Sequence, residues 1–571
     1  MPLGKVVSGS LKDGVKIILE SSEDIEDYPV GGLITIRGNQ KEYLALVSDV
    51  GVKGDSAPIT ALSGIRDEYY KVIISELRGK YSYGWLEAIL IAETYGNEAY
   101  ESETFPGYSS IIPDNYQDLL YKFFDKANNT THWDIGVPKT PKRVDIKIPI
   151  NISRLVELSF GIFGKSGTGK TFLGNILASY FMLYDDYLAS KGYVEGKPIR
   201  LLIFDMHSEY GVYLKDNLGN KIADGVGQLA KDKFVIYSPS KDLYEKYEGI
   251  RPLKINYLDL DETDIYMLSD VFGVTDAFKS RIYDFIKLIR DKFRLKEYWI
   301  IGLLATKELQ EKLAKSSRGL EILDKIRSRS GVRDLEGLKE YIIEEIKDKW
   351  GTGTEISYRS QIPKLYTLLR YPFTLEEVES PISEIVDYLV SREGVSVIIS
   401  MGEYERETPL YMIIANLIAR RLRSKIYSIG EPKTKIVIFL EEAHKFLGKD
   451  VYYQSPFGNV AREMRKMGVT LCVIDQKPGE LDRDVISMLW TNFIFTLTDQ
   501  RDVDISVIGS PNPQLYSKIV PKLRRRTALI YGDAIKFPVV VEIIDYKIVE
   551  NLLKSRKKID IDELIDDLKG V

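Results

Sequence analysis

Eight residues, GKSGTGKT from Gly164 to Thr171, stand between the apolar stretch LSFGIF and the helix-like FLGNILASYFMLY. Gly164, Gly167 and Gly169 leave room for backbone N–H groups to turn inward around phosphates. Lys170 can neutralise β and γ oxygens, and Thr171 offers a hydroxyl to Mg²⁺ at the start of a helix. A bare glycine-rich turn would be a weak signal, but the full G-x-x-x-x-G-K-T between a strand and a helix is a specific one. Gly164, Lys165, Ser166, Gly167, Thr168, Gly169, Lys170, Thr171 and Phe172 are therefore expected to bind ATP with Mg²⁺.

Three further segments carry matching chemistry. KIVIFLEEAH at 435–444 is an apolar strand that ends in two adjacent carboxylates. An ATPase needs one acid for the Mg²⁺ shell, assigned to Glu441, and one to polarise the attacking water, assigned to Glu442. FDMHSEY follows the strand LLIFD and sets Asp205, His207 and Glu209 together. Ligands of open α/β sheets gather at strand carboxyl ends, so Asp205 is expected to face the phosphates; the plainer alternative is a helix cap. In VAREMRKMGVTLCVIDQKPGEL at 460–481, Gln476 ends an apolar strand as a γ-phosphate sensor. Arg462 and Arg465, one helical turn apart, could reach a neighbouring subunit's nucleotide, or could simply lie on a solvated helix face.

The elements that must position these groups follow from patterning. From 155 onward, apolar strands alternate with helical stretches: LSFGIF, LLIFD, FVIYS, VSVIIS, IVIFL, VTLCVID, FIFTL and TALIYG. Continuous apolar strands of this kind predict an α/β fold with a largely parallel sheet covered on both faces. Residues 260–390 break the order with helical periodicity, as in Ile282, Phe285, Ile286 and Ile289, and read as a helical insertion. Ahead of the motor, residues 1–80 alternate short β-branched runs with turns (GKVVSG, VKIILE, GGLITIRG, EYLALVSDV, YYKVIISEL), predicting a small antiparallel barrel. The resulting division is a barrel over 1–95, a connecting region over 96–150, a first ATPase part over 151–259, the insertion over 260–390, a second ATPase part over 391–545, and a terminal tail or helix over 546–571.

Composition sets outer limits. The 571 residues suggest three or four domains, and 44% hydrophobic with 29% charged residues is ordinary for a globular protein, so disorder is not expected to dominate. Runs such as IVIFL are far too short to span a bilayer, and MPLGKVVSGS lacks an apolar signal region, which points to a cytoplasmic protein without a membrane partner. The single cysteine, Cys472, rules out an internal disulfide; with only His132, His207 and His444 besides, zinc chemistry is set aside. A net charge of −5 neither supports nor excludes nucleic acid.

GKSGTGKT, LLIFDMHSEY, IVIFLEEAHKFL and AREMRKMGVTLCVIDQKP, in that order, with an insertion between the second and third, resemble the HerA-type branch of the HerA/FtsK ATPases. The N-terminal barrel and IGVPKTPKRVDIKIPINIS ahead of the glycine-rich loop extend the likeness over most of the chain. The resemblance implies a hexameric ring with a RecA-like motor, a barrel that docks a partner such as a NurA-type nuclease, and ATP-driven movement of duplex DNA. It places Glu441 and Glu442 at the family's paired glutamates, Gln476 at its SQ(R)P glutamine, Arg462 and Arg465 in its AREGRK helix, and Asp205 and Glu209 at its D-x-H-G-E-Y strand end. Ser208 and Met464 replace glycines of those motifs, and Lys477 stands where an arginine is expected, with loss of bidentate geometry. These departures suggest a divergent paralogue.

A translocase grips phosphates without reading bases, so binding should be salt-sensitive and sequence-tolerant. Lys215, Lys445, Lys449, Tyr452 and Tyr453 are the candidate contacts, with the clusters Arg420, Arg421, Arg423 and Arg524, Arg525, Arg526 as alternatives. A DNA translocase or helicase is the leading expectation. A pump ATPase of a conjugation or secretion apparatus, and an ATPase switch for an effector complex, are the other readings.

Overall fold

The computed structural model describes residues 2–54, 82–126, 130–141, 146–192, 196–216, 218–269, 271–374, 381–449, 451, 455–556 and 563. Contacts divide the chain into two units. The first combines Met1–Gly196, Asp216–Ala223 and Leu471–Val571; the second combines Lys197–Lys215 and Asp224–Thr470.

The first unit begins with a closed antiparallel barrel. Strands Gly4–Ser10, Gly14–Leu19, Leu33–Arg37, Glu42–Gly54 and Ser82–Tyr95 form the ring, with the two-residue strand Ile111–Ile112 between Gly4–Ser10 and Leu33–Arg37. Val15–Ile18 close it by pairing with Trp85–Ala88. Alternation in VKIIL turns Val15, Ile17 and Leu19 into the core. LITI is buried on both faces because the helix Tyr116–Leu120 covers its outside, and Thr35 Oγ1 donates to the Tyr116 carbonyl at 3.2 Å. Gly14, at φ 87°, is where closure demands glycine: a Cβ there would lie 2.4 Å from the Ala88 carbonyl oxygen. The expected strand YYKVIISEL lies outside the described residues, whereas Ser82–Tyr95 is a long strand that the spacing did not announce.

Residues 96–150 are not simply a connecting region. Glu98–Glu101 extends the barrel sheet, Ile111–Ile112 completes the ring, and His132–Pro138 and Ile148–Asn151 join the motor sheet. Ile148–Asn151 lies in VDIKIPINI, whose apolar alternation marks it as a strand, whereas Glu98–Glu101 and Ile111–Ile112, near Pro106 and Pro113, carry too few alternating positions to register in sequence.

In the motor part of this unit, Phe160–Phe163 pairs in parallel with Val469–Asp475 on one side and Thr491–Ile494 on the other. Thr527–Gly532, Val539–Ile543, His132–Pro138 and Ile148–Asn151 then follow in antiparallel order. The parallel expectation therefore fails for TALIYG, since an apolar run does not record strand direction. Backbone bonds carry the barrel onto this sheet: Leu33 N donates to the Lys139 carbonyl and Lys139 N to that of Val540, each at 2.8 Å. The Lys139 ammonium also donates to the Val30 carbonyl at 2.8 Å, with burial and nearby Arg524 holding its pKa below the usual lysine value.

The second unit holds a wholly parallel sheet in the order Ile250–Pro252, Phe234–Ser238, Ser396–Ser400, Ile199–Asp205, Lys435–Glu441. SVIIS, IRLLIFD and the KIVIFLE run from Ile436 onward are buried at every position, as strands covered on both faces require. The insertion is helical as expected and includes Ile282–Asp291, Ser317–Ser330, Leu335–Trp350 and Thr352–Leu365. Ile282, Phe285, Ile286 and Ile289 all face inward, and Phe285 packs edge-on against Trp350 and Tyr358. At its base, Ile255–Asn256 pairs with Phe373–Thr374. The buried carboxylate of Asp264 takes both its oxygens to Arg420 Nη1, at 2.8 and 2.9 Å. The helix Tyr546–Ser555 ends the described motor; of the terminal segment IDIDELIDDLKGV only Glu563 is described.

Candidate functional site

The candidate residues fall into two groups, one within each unit. In the first, Phe160–Phe163 delivers the chain into the loop 164–169, which bends through Gly164, Gly167 and Gly169 at φ 155°, 75° and 128°. A side chain at Gly164 would collide with the Phe495 Cβ, only 2.6 Å from where its own Cβ would stand, so the close approach to Phe495 selects glycine. Neighbouring segments pin the loop: Gly164 N donates to the Asp475 carbonyl at 3.2 Å, Lys165 N to that of Thr496 at 3.0 Å, and Arg526 N to that of Thr168 at 2.8 Å. Thr168 Oγ1 closes the turn on the Lys165 carbonyl at 2.7 Å. Lys165, Ser166 and Gly167 remain exposed at its crown.

Lys170 opens the 21-residue helix Lys170–Ser190, whose first turn has no side-chain cap. Its ammonium donates to the carbonyls of Gly164 at 2.6 Å and Lys165 at 2.9 Å, so the charge lies across the mouth of the loop. Thr171 is half-buried in the first turn, and Phe172 meets Tyr546 edge-on with ring centroids 6.4 Å apart. A curled glycine loop, a lysine across its mouth and an uncapped helix N-terminus together fit a nucleoside triphosphate. Within this unit, Thr171 is the residue whose hydroxyl would suit Mg²⁺, and a divalent ion there would screen the phosphate charge.

Gln476 follows Val469–Asp475 directly. The Asp475 carbonyl accepts from Gly164 N, so the structure brings the backbone of Gln476 to the start of the loop. Lys477, which replaces the expected arginine, sends its ammonium to Glu480 Oε1 at 3.0 Å. That hydrogen bond raises its pKa.

In the second unit the acidic residues converge at the carboxyl ends of adjacent parallel strands, where Phe204 is in register with Leu440. Asp205 is wholly buried. Its Oδ1 accepts from Glu209 N at 2.8 Å; its Oδ2 accepts from Gly211 N at 2.8 Å, Tyr210 N at 3.2 Å and the Ser400 hydroxyl at 2.7 Å. Both oxygens are committed to backbone and side-chain donors of the protein, so Asp205 caps the loop 206–211; since no helix starts there, this is not the helix cap of the plainer alternative. Burial pushes its carboxyl up. Glu209 accepts from Lys215 N at 3.1 Å and is likewise raised, chiefly by burial.

Glu441 accepts from Met206 N at 3.0 Å and is pushed well above the usual carboxylate range, first by burial and then by Asp205 and Glu209. The buried hydroxyl of Tyr411 donates to the Glu441 carbonyl at 2.9 Å and approaches that of Phe204 at 3.3 Å, tying the two strand ends together. Glu442 is half-buried, 3.9 Å from His444 Nδ1, and sits at φ 51°. Left-handed backbone is costly for a residue other than glycine and concentrates at functional loops.

Ser208 shows the same feature at φ 59°, which gives a physical reason for glycine in the related motif. Here the serine hydroxyl accepts from Gly402 N at 2.9 Å. Met464, the other replaced glycine, has φ −90° and a buried side chain, so its backbone makes no such demand.

Arg462 and Arg465 do not share a continuous α-helix: Pro456–Glu463 tightens into a 3₁₀ turn at Met464–Met467. Arg462 is half-buried and donates to Asn459 Oδ1 at 2.7 Å, while Arg465 is exposed.

Several of the residues expected to contact DNA make hydrogen bonds within the protein. Lys445 donates to Thr408 Oγ1 at 2.9 Å, Lys215 to the His207 carbonyl at 3.3 Å, Arg420 to Asp264, and Arg423 to Glu463 at 3.0 Å. Tyr452 and Tyr453 lie outside the described residues. Sequence reasoning missed Ser400, Tyr411 and the Met206 amide; only the position of Ser400 at the end of VSVIIS hinted at any of them. Among the described residues, no helix is long and apolar enough to cross a membrane.

The probable helicase MJECL08 of Methanocaldococcus jannaschii is 23% identical over 95% of this chain and 96% of its own length. The DNA double-strand break repair helicase HerA of Pyrococcus furiosus is 35% identical over 20% of this chain; the match spans 21% of that helicase. Among solved structures, the bacterial conjugative coupling protein TrwB aligns over 74% of this chain and 96% of its own, at 15% identity and a TM-score of 0.41. The family model for the helicase HerA central domain matches residues 134–422, half of the chain, and the protein belongs to that family.

Proposed function

We propose that the protein is an ATP-hydrolysing motor that translocates on or unwinds duplex DNA. The conformation of the loop 164–169 is the observation that carries this: three left-handed glycines and Lys170 poised over the loop carbonyls make a phosphate cradle. Lys170, Thr171 and the loop amides hold ATP, with Gln476 beside the first glycine as the γ-phosphate sensor. Glu441 serves the Mg²⁺ shell, and Glu442 polarises the attacking water. Arg462 and Arg465 act on the nucleotide of a neighbouring subunit. Asp205 and Glu209 support the loop that orients Glu441.

The relatives' names support a helicase, and those of the HerA relatives support double-strand break repair, for the broader role. The assembly we envisage is a hexameric ring acting on duplex DNA, with a NurA-like nuclease docking on the N-terminal barrel. The test is steady-state ATP hydrolysis by wild type and Lys170→Ala, with and without linear duplex DNA, across a salt series. Hydrolysis that DNA raises severalfold, that salt suppresses and that Lys170→Ala abolishes is the expected result. Robust hydrolysis indifferent to DNA would reject the DNA motor in favour of a protein pump or an effector switch.

A further inference from the structure

The segment Leu523–Arg526 is sewn onto the nucleotide loop at two points. At one end, the Leu523 carbonyl accepts from Thr496 Oγ1 at 2.7 Å, and the Thr496 carbonyl in turn holds Lys165 N. At the other, Arg526 N donates to the Thr168 carbonyl at 2.8 Å, while the Arg526 carbonyl accepts from Ile543 N at 2.9 Å. Arg526 holds this double bridge at φ 65°, a strained conformation for a residue with a side chain. Its Cα lies so near Gly169 that a Cβ on that glycine would be 3.5 Å away.

The side chain runs from this anchor towards the start of the helix. Arg526 Nη1 meets Asp545 Oδ2 at 3.0 Å and Nη2 meets the Ile543 carbonyl at 3.4 Å. The residue after Asp545 is Tyr546, which packs against Phe172. Arg526 thus has its Cα beside Gly169 and its guanidinium on Asp545, whose chain neighbour Tyr546 packs on Phe172; Gly169 and Phe172 flank Lys170 and Thr171. In a loop of this kind the phosphates nearest the nucleoside lie over that stretch, at the helix N-terminus. The Arg526–Asp545 pair is only half-buried, so the guanidinium can exchange one anionic partner for another at modest cost.

We propose that Arg526 is a nucleotide-binding residue, its guanidinium exchanging Asp545 for a phosphate on the nucleoside side of the loop. This rests on the nucleotide reading given above. The chemistry is that of a second cation beside Lys170, with a planar fork suited to phosphate oxygens. Because it engages the phosphates common to ADP and ATP, it sets affinity for both, unlike a γ-phosphate sensor.

The test is calorimetric titration of the full chain with MgADP and with a magnesium-bound non-hydrolysable ATP analogue. Wild type should bind both and Lys170→Ala neither; a wild type that binds neither would overturn the nucleotide reading and this inference together. Arg526→Gly keeps the left-handed backbone while removing the guanidinium, and thermal melting checks that it stays folded. It should weaken both nucleotides about tenfold or more, with Arg526→Lys recovering part of the loss. Asp545→Asn should bind MgADP as tightly as wild type or more so. Wild-type affinity in Arg526→Gly, or an equal loss in Asp545→Asn that marks the pair as a mere brace, would overturn the inference while leaving the nucleotide reading intact.

Discussion

Met206 donates its backbone N–H to Glu441 Oε2 at 3.0 Å, so the loop that leaves one parallel strand orients the acid that ends the next. That loop is itself organised by Asp205, which gathers three backbone amides and the Ser400 hydroxyl. Asp205 is therefore a positioning residue: it fixes the loop, and the loop fixes Glu441.

Replacing Asp205 should accordingly cost stability. Asp205→Ala leaves three amides and a hydroxyl without their acceptor in a buried site, and an expected loss of ~3 kcal/mol follows from the cost of unmet buried hydrogen bonds. Asp205→Asn keeps part of the acceptor set and should lose less. Urea unfolding of the two variants measures this; unchanged stability in Asp205→Ala would return the residue to a purely catalytic role.

Buried Glu441 predicts a pH dependence with a definite sign. A carboxyl whose folded pKa is raised binds its proton more readily in the folded state. Its contribution to stability is thus greatest below the unfolded value of about 4 and is lost as pH rises through the folded value. Glu441 and Asp205 are both raised, so both weaken the fold towards neutral pH. Glu441→Gln should melt higher than wild type at pH 8, with the gap narrowing towards pH 5. Parallel melting profiles across that range would contradict the assignment.

Glu442 offers a kinetic test of the water-activating role. Glu442→Gln should bind ATP as wild type does while turnover falls on the order of 10²–10³-fold, the usual scale for loss of a group that orients or deprotonates water. Single-turnover hydrolysis with a parallel binding titration separates the two effects. Turnover near wild type would exclude Glu442 as the acid that acts on water.

Arg420 separates structure from DNA contact. Its partner Asp264 is 1% exposed, so Arg420→Ala strands a buried carboxylate and should destabilise the protein by about 2–3 kcal/mol. The salt dependence of DNA binding should stay as in wild type, since a lost phosphate contact would lower that slope by about one. Denaturant unfolding and a salt titration of DNA affinity measure the two effects.

Local chemistry was legible in the sequence. The glycine loop, the paired glutamates, the helical insertion and most motor strands follow from residue types and short-range periodicity, which depend only on neighbours along the chain. FVIYS and TALIYG were read to the residue. What depended on distant partners was not legible: the antiparallel direction of Thr527–Gly532, and the recruitment of Ile111–Ile112 and His132–Pro138 into sheets. An apolar run is the same whichever way its partner strand points, and a two-residue strand has no period to detect.

The same division holds within the candidate site. The sequence by itself determined which residues could carry phosphate and water chemistry, because the spacing of Gly164, Gly167, Gly169, Lys170 and Thr171 is set within one loop and one helical turn. Only the tertiary structure decided what the acids do. Asp205 and Glu441 end different strands far apart in sequence. Parallel pairing sets those strand ends side by side, so that one carboxylate is consumed as a cap and the other is oriented by the loop the cap holds. Hydrogen-bond satisfaction of buried groups is settled by the folded neighbourhood, and no pattern of residue types along the chain specifies it.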